Sequence, residues 1–476
     1  MTSKTEHLEV EVEQPRTKRQ GSMKYVAILA FSAGLAGLLY GYDTVSISGA
    51  ITYLTPLWHL SATIEGLIIS SIMIGGVIGV GVSGFISDRI GRRPVLILGA
   101  ACFFVAALWS AAVNDPTSLI WARIIGGLGI GLTSSLSITY ITECAPAKYR
   151  GTLSSMYQLL TILGIFLTNL INFWISGFGG IHSDFANKAW RLMLGIGAAP
   201  ALILLIALLV MPESPRFLMQ VGKTEKGYAI LERIGGTDSA DRELVEIKAS
   251  IEDNAKGSIK DLFRQPLSYA LMIGIFLALF NQWVGQNAIS YYGPTIFADI
   301  FPGGNTAFLC ATIIGLVELI FTFVGMYFID RIGRKPLMLS GALGMGVFYA
   351  LMGISMMAKW PGITTLIFAC LVIAFFAYSM GPVTWVMISE LFPTYMRGRA
   401  SGICTVFLWG ANFLVAQFTP VMFSYWGGGT FIFWAVMDFI AFIGVKFLVP
   451  ETKGRTLEEI QSFWVKKSSD KHNLAA

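Results

Sequence analysis

The octapeptide Ser87-Asp88-Arg89-Ile90-Gly91-Arg92-Arg93-Pro94 returns, little changed, as Ile329-Asp330-Arg331-Ile332-Gly333-Arg334-Lys335-Pro336. Each copy is a short charged hinge between two long apolar runs. Apolar segments that flank such a hinge must turn back on themselves, with the charges held in water or among lipid headgroups. Two copies half a chain apart point to a duplicated membrane domain. Function is then expected between the halves.

Only 13% of the 476 residues are charged and 54% are hydrophobic, against about 25% charged in soluble domains. A bilayer span needs about 20 apolar residues. Twelve are predicted, at 24–50, 62–86, 94–114, 118–142, 152–177, 190–211, 267–292, 306–329, 336–358, 362–389, 400–425 and 429–449. The expected fold is an all-α membrane protein with six-helix halves at 24–211 and 266–449. A polar tail (1–23) precedes them, a linker of short helices (212–265) joins them, and a second tail (450–476) with an amphipathic helix at 457–464 follows.

Lys and Arg set the expected orientation. Arg89, Arg92, Arg93, Lys148, Arg150, Arg331, Arg334, Lys335, Arg397 and Arg399 share one set of short connections. The opposite set holds little beyond Lys188 and Lys359. The basic face and both termini are expected in the cytoplasm, with the chain in the inner membrane. The first span is expected to be an uncleaved start signal, since no short apolar region with a cleavage site precedes it. The net charge of +5 reflects the loops, and no basic patch interleaved with aromatics suggests nucleic acid. Cys102, Cys144, Cys310, Cys370 and Cys404 are scattered without a CxxC. They read as packing residues, with no metal site, disulfide framework or cofactor. Four dispersed histidines and no nucleophile–base pair or phosphate loop argue against an enzyme.

The repeat extends past the hinge. Glu143 precedes Tyr149-Arg150-Gly151 as Glu390 precedes Met396-Arg397-Gly398. Gly84 and Met326 occupy matching places before the two hinges, which predicts looser packing at the second. Glycine-rich faces in spans one, two and four predict close helix contacts, static or sliding.

Five motifs together make the chain similar to the sugar porter family of the major facilitator superfamily, over about 24–465. They are Gly41-Tyr42-Asp43-Thr44, the doubled hinge, Pro212-Glu213-Ser214-Pro215-Arg216, Gly381-Pro382-Val383-Thr384-Trp385 and Pro450-Glu451-Thr452-Lys453-Gly454-Arg455. Further stretches, among them Ser154-Ser155-Met156-Tyr157-Gln158-Leu159 and Leu408-Trp409-Gly410-Ala411-Asn412, look most like bacterial arabinose–proton symporters. The resemblance implies the major facilitator fold, with a central sugar site that alternates between membrane faces. The implied partners are a monosaccharide, a proton and the lipid bilayer, and the expected state is a monomer.

A neutral sugar offers hydroxyls and an apolar face, which amides and an aromatic ring match. Span seven holds Asn281, Gln282, Gln286 and Asn287, then Tyr291 and Tyr292. Polar groups at membrane depth face the bundle interior or an aqueous cavity; a purely helix-bonding role stays open. On an ideal helix Asn281, Gln282 and Asn287 do not share a face, so a break at Gly285 is expected to gather them. The resemblance assigns Gln282 and Asn287 to sugar hydroxyls, with Asn281 where many relatives carry Gln. It adds Gln158, Trp409 and Asn412, and Trp385 as the ring that stacks on sugar after a Gly381-Pro382 break; interfacial anchoring is the plainer role for a tryptophan. Ile165 and Leu408 replace polar family residues, which suggests a less polar pocket suited to a pentose. Glu318 stands where many relatives carry Asn and is expected to contact sugar. Asp438 has no functional reading beyond a helix–helix hydrogen bond.

Asp43 lies within the first span, where an isolated carboxylate costs about 2.5 kcal/mol or more. Topology puts Arg123 at similar depth. Contact with Arg123 favours the charged acid and its loss favours protonation, and the resemblance makes the same assignment. A permanent structural pair is the alternative. Asp88, Arg89, Arg92, Glu143, Arg150, Glu213, Arg216, Asp330, Arg331, Arg334, Glu390, Arg397 and Glu451 are expected to form a cytoplasmic latch between the halves. Solvated loop charges, worth about 0–1 kcal/mol a pair, are the plain alternative. The reading that results is a proton-coupled sugar symporter, with L-arabinose foremost and D-xylose or D-galactose also open. A proton-independent facilitator and a transporter-like sugar sensor are the alternatives.

Overall fold

A computed structural model describes residues 19–146, 149–179, 183–254, 259–265, 267–301, 305–392 and 394–453. Most of the N-terminal tail and the expected 457–464 helix lie outside them. Among the described residues, twelve segments are long and apolar enough to cross a membrane. The first half comprises α1 (Met23–Trp58), α2 (Ala62–Ile90), α3 (Arg92–Ala112), α4 (Pro116–Cys144), α5 (Arg150–Ser176) and the broken pair α6 (Ala186–Gly195) and α7 (Ala198–Val210). The second comprises α11 (Leu267–Trp283) with α12 (Gln286–Ile300), α13 (Thr306–Ile332), α14 (Arg334–Met357), α15 (Gly362–Tyr378) with α16 (Met380–Glu390), α17 (Thr394–Trp426) and α18 (Gly429–Leu448). Between them run α8 (Pro215–Gln220), α9 (Thr224–Gly235), α10 (Thr237–Asn254) and a 3₁₀ turn at Ile259–Phe263.

Large apolar side chains such as Phe85, Trp121, Val210 and Phe447 are exposed on the outside. That suits a chain whose helices satisfy their own backbone in lipid. Within the halves α1 packs along α5, α2 along α4, and α14 along α15 and α18. The halves meet through α2 with α17, α5 with α13, and α1 with α12. The first helix runs past the expected end at 50 to Trp58. Its last turns are held by contacts to the other half, Thr52 to Thr295 and Tyr53 to Phe308.

Both hinges turn on a glycine in the left-handed region, Gly91 at φ 103° and Gly333 at φ 111°. At the first, the Glu213 carboxylate accepts from the backbone N–H groups of Arg92 and Arg93. At the second, Glu451 accepts from those of Arg334 and Lys335. Each glutamate thus caps a helix start, where free N–H groups and the helix dipole favour an anion. The guanidinium of Arg92 donates to Glu143, and that of Arg334 to Glu390, 3.0 Å away. Ser214 donates to Glu143 as Thr452 donates to Glu390.

These described pairs do not themselves join the halves as the expected latch would. Each closes within its own half and its own following segment, and Asp88 also stays local, 3.2 Å from Arg92. Arg89 and Arg331 lie over the rings of Phe85 and Tyr327 on their own helices. The side chains of Arg150, Asp330 and Arg397 lie outside the described ones. The expected tighter packing at Gly84 is corrected. That glycine faces open space.

Hydrogen bonds between the halves gather at the end opposite the hinges, here the far end. Ser70 donates to Gln417, which donates to the Thr63 carbonyl. Ser176 donates to Asn305, and Thr312 to the Asn169 carbonyl. Among the described residues, no hydrogen bond joins the halves at the hinge end. The halves are therefore joined at the far end.

Candidate functional site

Gly285 breaks the seventh span at φ 78°. A side chain there would lie 2.7 Å from the Trp434 indole, so both conformation and space require glycine. The break gathers the amides into one chain of hydrogen bonds. Asn281 donates to the Met380 carbonyl at 3.0 Å, and Gln282 donates to Asn281 at 2.7 Å. Asn287 donates to Gln282 and, at 3.2 Å, to Asn412. Tyr291 is 3.1 Å from the same Asn412 oxygen. All but Asn287 are buried. The array presents donors and acceptors together between α11, α12, α16 and α17, which is what recognition of a polyol needs. Asn281 spends its described bonds on neighbours, so it positions Gln282.

Glu318, on α13, meets the span-seven amides at Gln286. It accepts from Gln286 at 3.3 Å, and Gln286 also donates to Ser290. Gln158 is half-buried on α5 and has no side-chain hydrogen bond among the described residues. Trp409 is buried between the halves, its ring 5.6 Å from that of Tyr40. A Cβ at Gly76 would lie 2.6 Å from it. Trp385 is 41% exposed on α16, on the hinge side. The break before it falls at Ser379, not at the expected Gly381-Pro382. The physical reason is that a proline ring clashes with the carbonyl four residues earlier, which here belongs to Tyr378. Gly381 and Pro382 therefore lie in the first turn of α16.

Arg123 reaches Asp43 at 3.3 Å. The Arg123 side chain is 2% exposed and that of Asp43 is 15%. The Arg123 Nε has no partner among the described residues. A cavity beside the pair is lined by Tyr40, Ile69, Met73, Tyr291 and Trp409. Tyr291 thus belongs to the cavity and to the amide chain at once. Asp438 departs from its expected helix–helix bond. It is fully buried, and neither carboxyl oxygen has a partner among the described residues.

Residues 29–464 match the family model described as Sugar (and other) transporter. The chain belongs to the sugar porter family of the major facilitator superfamily. It is 49% identical to the arabinose-proton symporter of Bacillus subtilis (strain 168), over 94% of this chain and 97% of that protein. It is 35% identical to the D-xylose-proton symporter of Escherichia coli (strain K12), over 94% and 97%. A solved structure of the E. coli xylose transporter XylE, in a partially occluded inward open conformation, matches with a TM-score of 0.82 and 34% identity, over 91% of this chain and all of that one. This sugar porter is a multi-pass membrane protein, and its relatives are transporters, not enzymes.

Sequence reading missed Tyr40, which faces Trp409 across the halves, and the far-end pairs around Gln417. Neither carries a local signal, because each partner lies hundreds of residues away. Ser214 and Thr452 were findable. Each follows its motif glutamate, in duplicate.

Proposed function

We propose that this porter is a proton-coupled symporter that imports a pentose, L-arabinose foremost, by alternating access. One observation carries the reading. The Asp43–Arg123 pair shares a cavity with Tyr291 and Trp409, and Tyr291 bonds to Asn412 in the amide chain. A change at the acid therefore reaches sugar-recognising groups through one wall.

The basic hinge end faces the cytoplasm, following the distribution of Arg and Lys. The far-end contacts between the halves then lie on the outer side, which supports a state open inwards. Sugar bound on Gln282, Asn287 and Asn412, with Trp385 as an apolar platform on the hinge side, leaves by that opening. While Arg123 touches Asp43 the charges balance. When the contact breaks, a lone carboxylate in the span is costly, and a proton neutralises it. Sugar binding and neutralised Asp43 together permit the halves to rock, which makes transport of one conditional on the other. A charge crossing 100 mV gains about 2.3 kcal/mol and a pH unit adds about 1.4 kcal/mol. One proton can thus hold a sugar gradient of roughly 500-fold under both.

The pentose choice draws on two apolar replacements and on the relatives. Ile165 packs with Val45, Ile162 and Leu319 in a dry cluster. Leu408 is buried beside Trp409. The relatives named above carry arabinose and xylose.

The test is uptake of labelled arabinose into proteoliposomes with and without an inward proton gradient, competed by xylose, galactose and glucose. Uphill accumulation only with the gradient, with arabinose and xylose the best competitors, is expected. Equilibration indifferent to the gradient would make this a facilitator. Accumulation of a hexose in preference would overturn the pentose alone.

A further inference from the structure

The Asp43–Arg123 pair is flanked by a second cavity, on the side away from the sugar path. It lies wholly within the first half, between α1, α3, α4 and α6. Its walls are mostly small or polar: Ser46, Ala106, Ala107, Ser110 and Gly126, with Leu194 beyond. Asp43 and Arg123 line both cavities, so the ion pair stands as a partition between them.

The depth of this chamber gives it a direction. Ser110 lies in the last turn of α3, at the far end. Arg123 is seven residues into α4 from the same end, about 10 Å at the helical rise. The chamber occupies that interval. The central route from the far end is shut by the contacts at Thr52, Ser70 and Ser176. Towards the hinge end, buried Tyr291 and Trp409 stand beside the acid.

We propose that the proton reaches Asp43 from the far face through this lateral chamber, separately from the sugar path. The proposal rests on Asp43 being the proton site. The chamber has room for about one water, which needs two to four polar partners. The Ser110 hydroxyl, without a partner among the described residues, the Ser46 hydroxyl and the Asp43 carboxylate supply them. A hydronium at the far face gives its proton to this water, which passes one on to the carboxylate. The charged or titratable groups facing Asp43 are Arg123 on α4, Tyr40 and Tyr42 on its own helix, and Tyr291 on α12. Proton and sugar then reach the first half and the centre by different routes from the far face.

The test fills the chamber. A Cβ at Gly126 would sit 3.3 Å from that of Ala106, so leucine at 106 has little space except the chamber itself. Ala106→Leu and a Ser46→Ala/Ser110→Ala double variant, which adds no volume, are compared with wild type in proteoliposomes. Sugar counterflow needs no net proton movement and is expected within about twofold of wild type. Gradient-driven uphill uptake is expected to fall about tenfold. Wild-type uphill uptake in both variants overturns the proposal. A parallel fall of counterflow and uphill uptake in both overturns it too, because the chamber would then serve sugar movement. If wild-type uptake ignores the gradient, the symport reading fails and takes this one with it; gradient-driven wild-type uptake with unaffected variants removes the chamber alone.

Discussion

At the break in span seven, the Trp434 indole fills the space that a side chain on Gly285 would need. Gly285→Ala combines that clash with left-handed strain of about 1–2 kcal/mol. We expect a lower melting temperature and sugar affinity weakened about tenfold, read by thermal melts and titration calorimetry. Unchanged binding would show that the break does not organise the site. Asn412 is a shared partner of Asn287 and Tyr291. Asn412→Ala strands the buried Tyr291 hydroxyl, at about 1–3 kcal/mol for a buried group left unpaired, and leaves Asn287 only its bond to Gln282. Equilibrium binding should weaken at least about fivefold, and wild-type affinity would remove Asn412 from the site. Much of this was legible in the sequence. Four amides and a glycine in an apolar span announce a gathered polar cluster. The particular bonds were not legible, because Asn412 lies 125 residues from Asn287, and only packing of α12 on α17 brings them together. For Asp438 the sequence pointed to a helix–helix bond, and packing buried the acid without one among the described residues.

On the scale of elements, the two hinges are matching staples of unequal depth. Arg92 and Glu143 are 8% and 7% exposed, whereas Arg334 and Glu390 are 14% and 27% exposed. Removing one partner of a buried pair costs about 3–5 kcal/mol, because a charge is left uncompensated. More exposed pairs are worth far less. Glu143→Ala should therefore lower the melting temperature more than Glu390→Ala, and the reverse order would contradict this picture of the hinges. Duplication in the sequence exposed the staples but not their reach. A charge run does not say whether its partner lies in the same half or the other, and here the described partners are in the same half. Turn chemistry misled in a smaller way at Pro382, since the break that a proline imposes lies upstream of it.

For the whole molecule, closure at the far end predicts a simple lock. The Thr52 and Thr295 hydroxyls are 3.4 Å apart across the halves. A disulfide between Thr52→Cys and Thr295→Cys should form in the resting protein, abolish uptake and release it on reduction. Full uptake by the oxidised protein would mean that these ends need not part. The hydrophobic pattern announced twelve spans and two halves, but which end the halves share in this state depends on contacts between distant segments. The account as a whole stands on Asp43 coupling sugar to a proton, and its most direct measurement is a comparison of Asp43→Asn with wild type in proteoliposomes. The amide keeps the shape and cannot carry the proton. The account predicts sugar counterflow retained and uphill accumulation abolished, so that uptake stops at equal concentrations inside and out. Concentrative uptake by Asp43→Asn at the wild-type rate would contradict it.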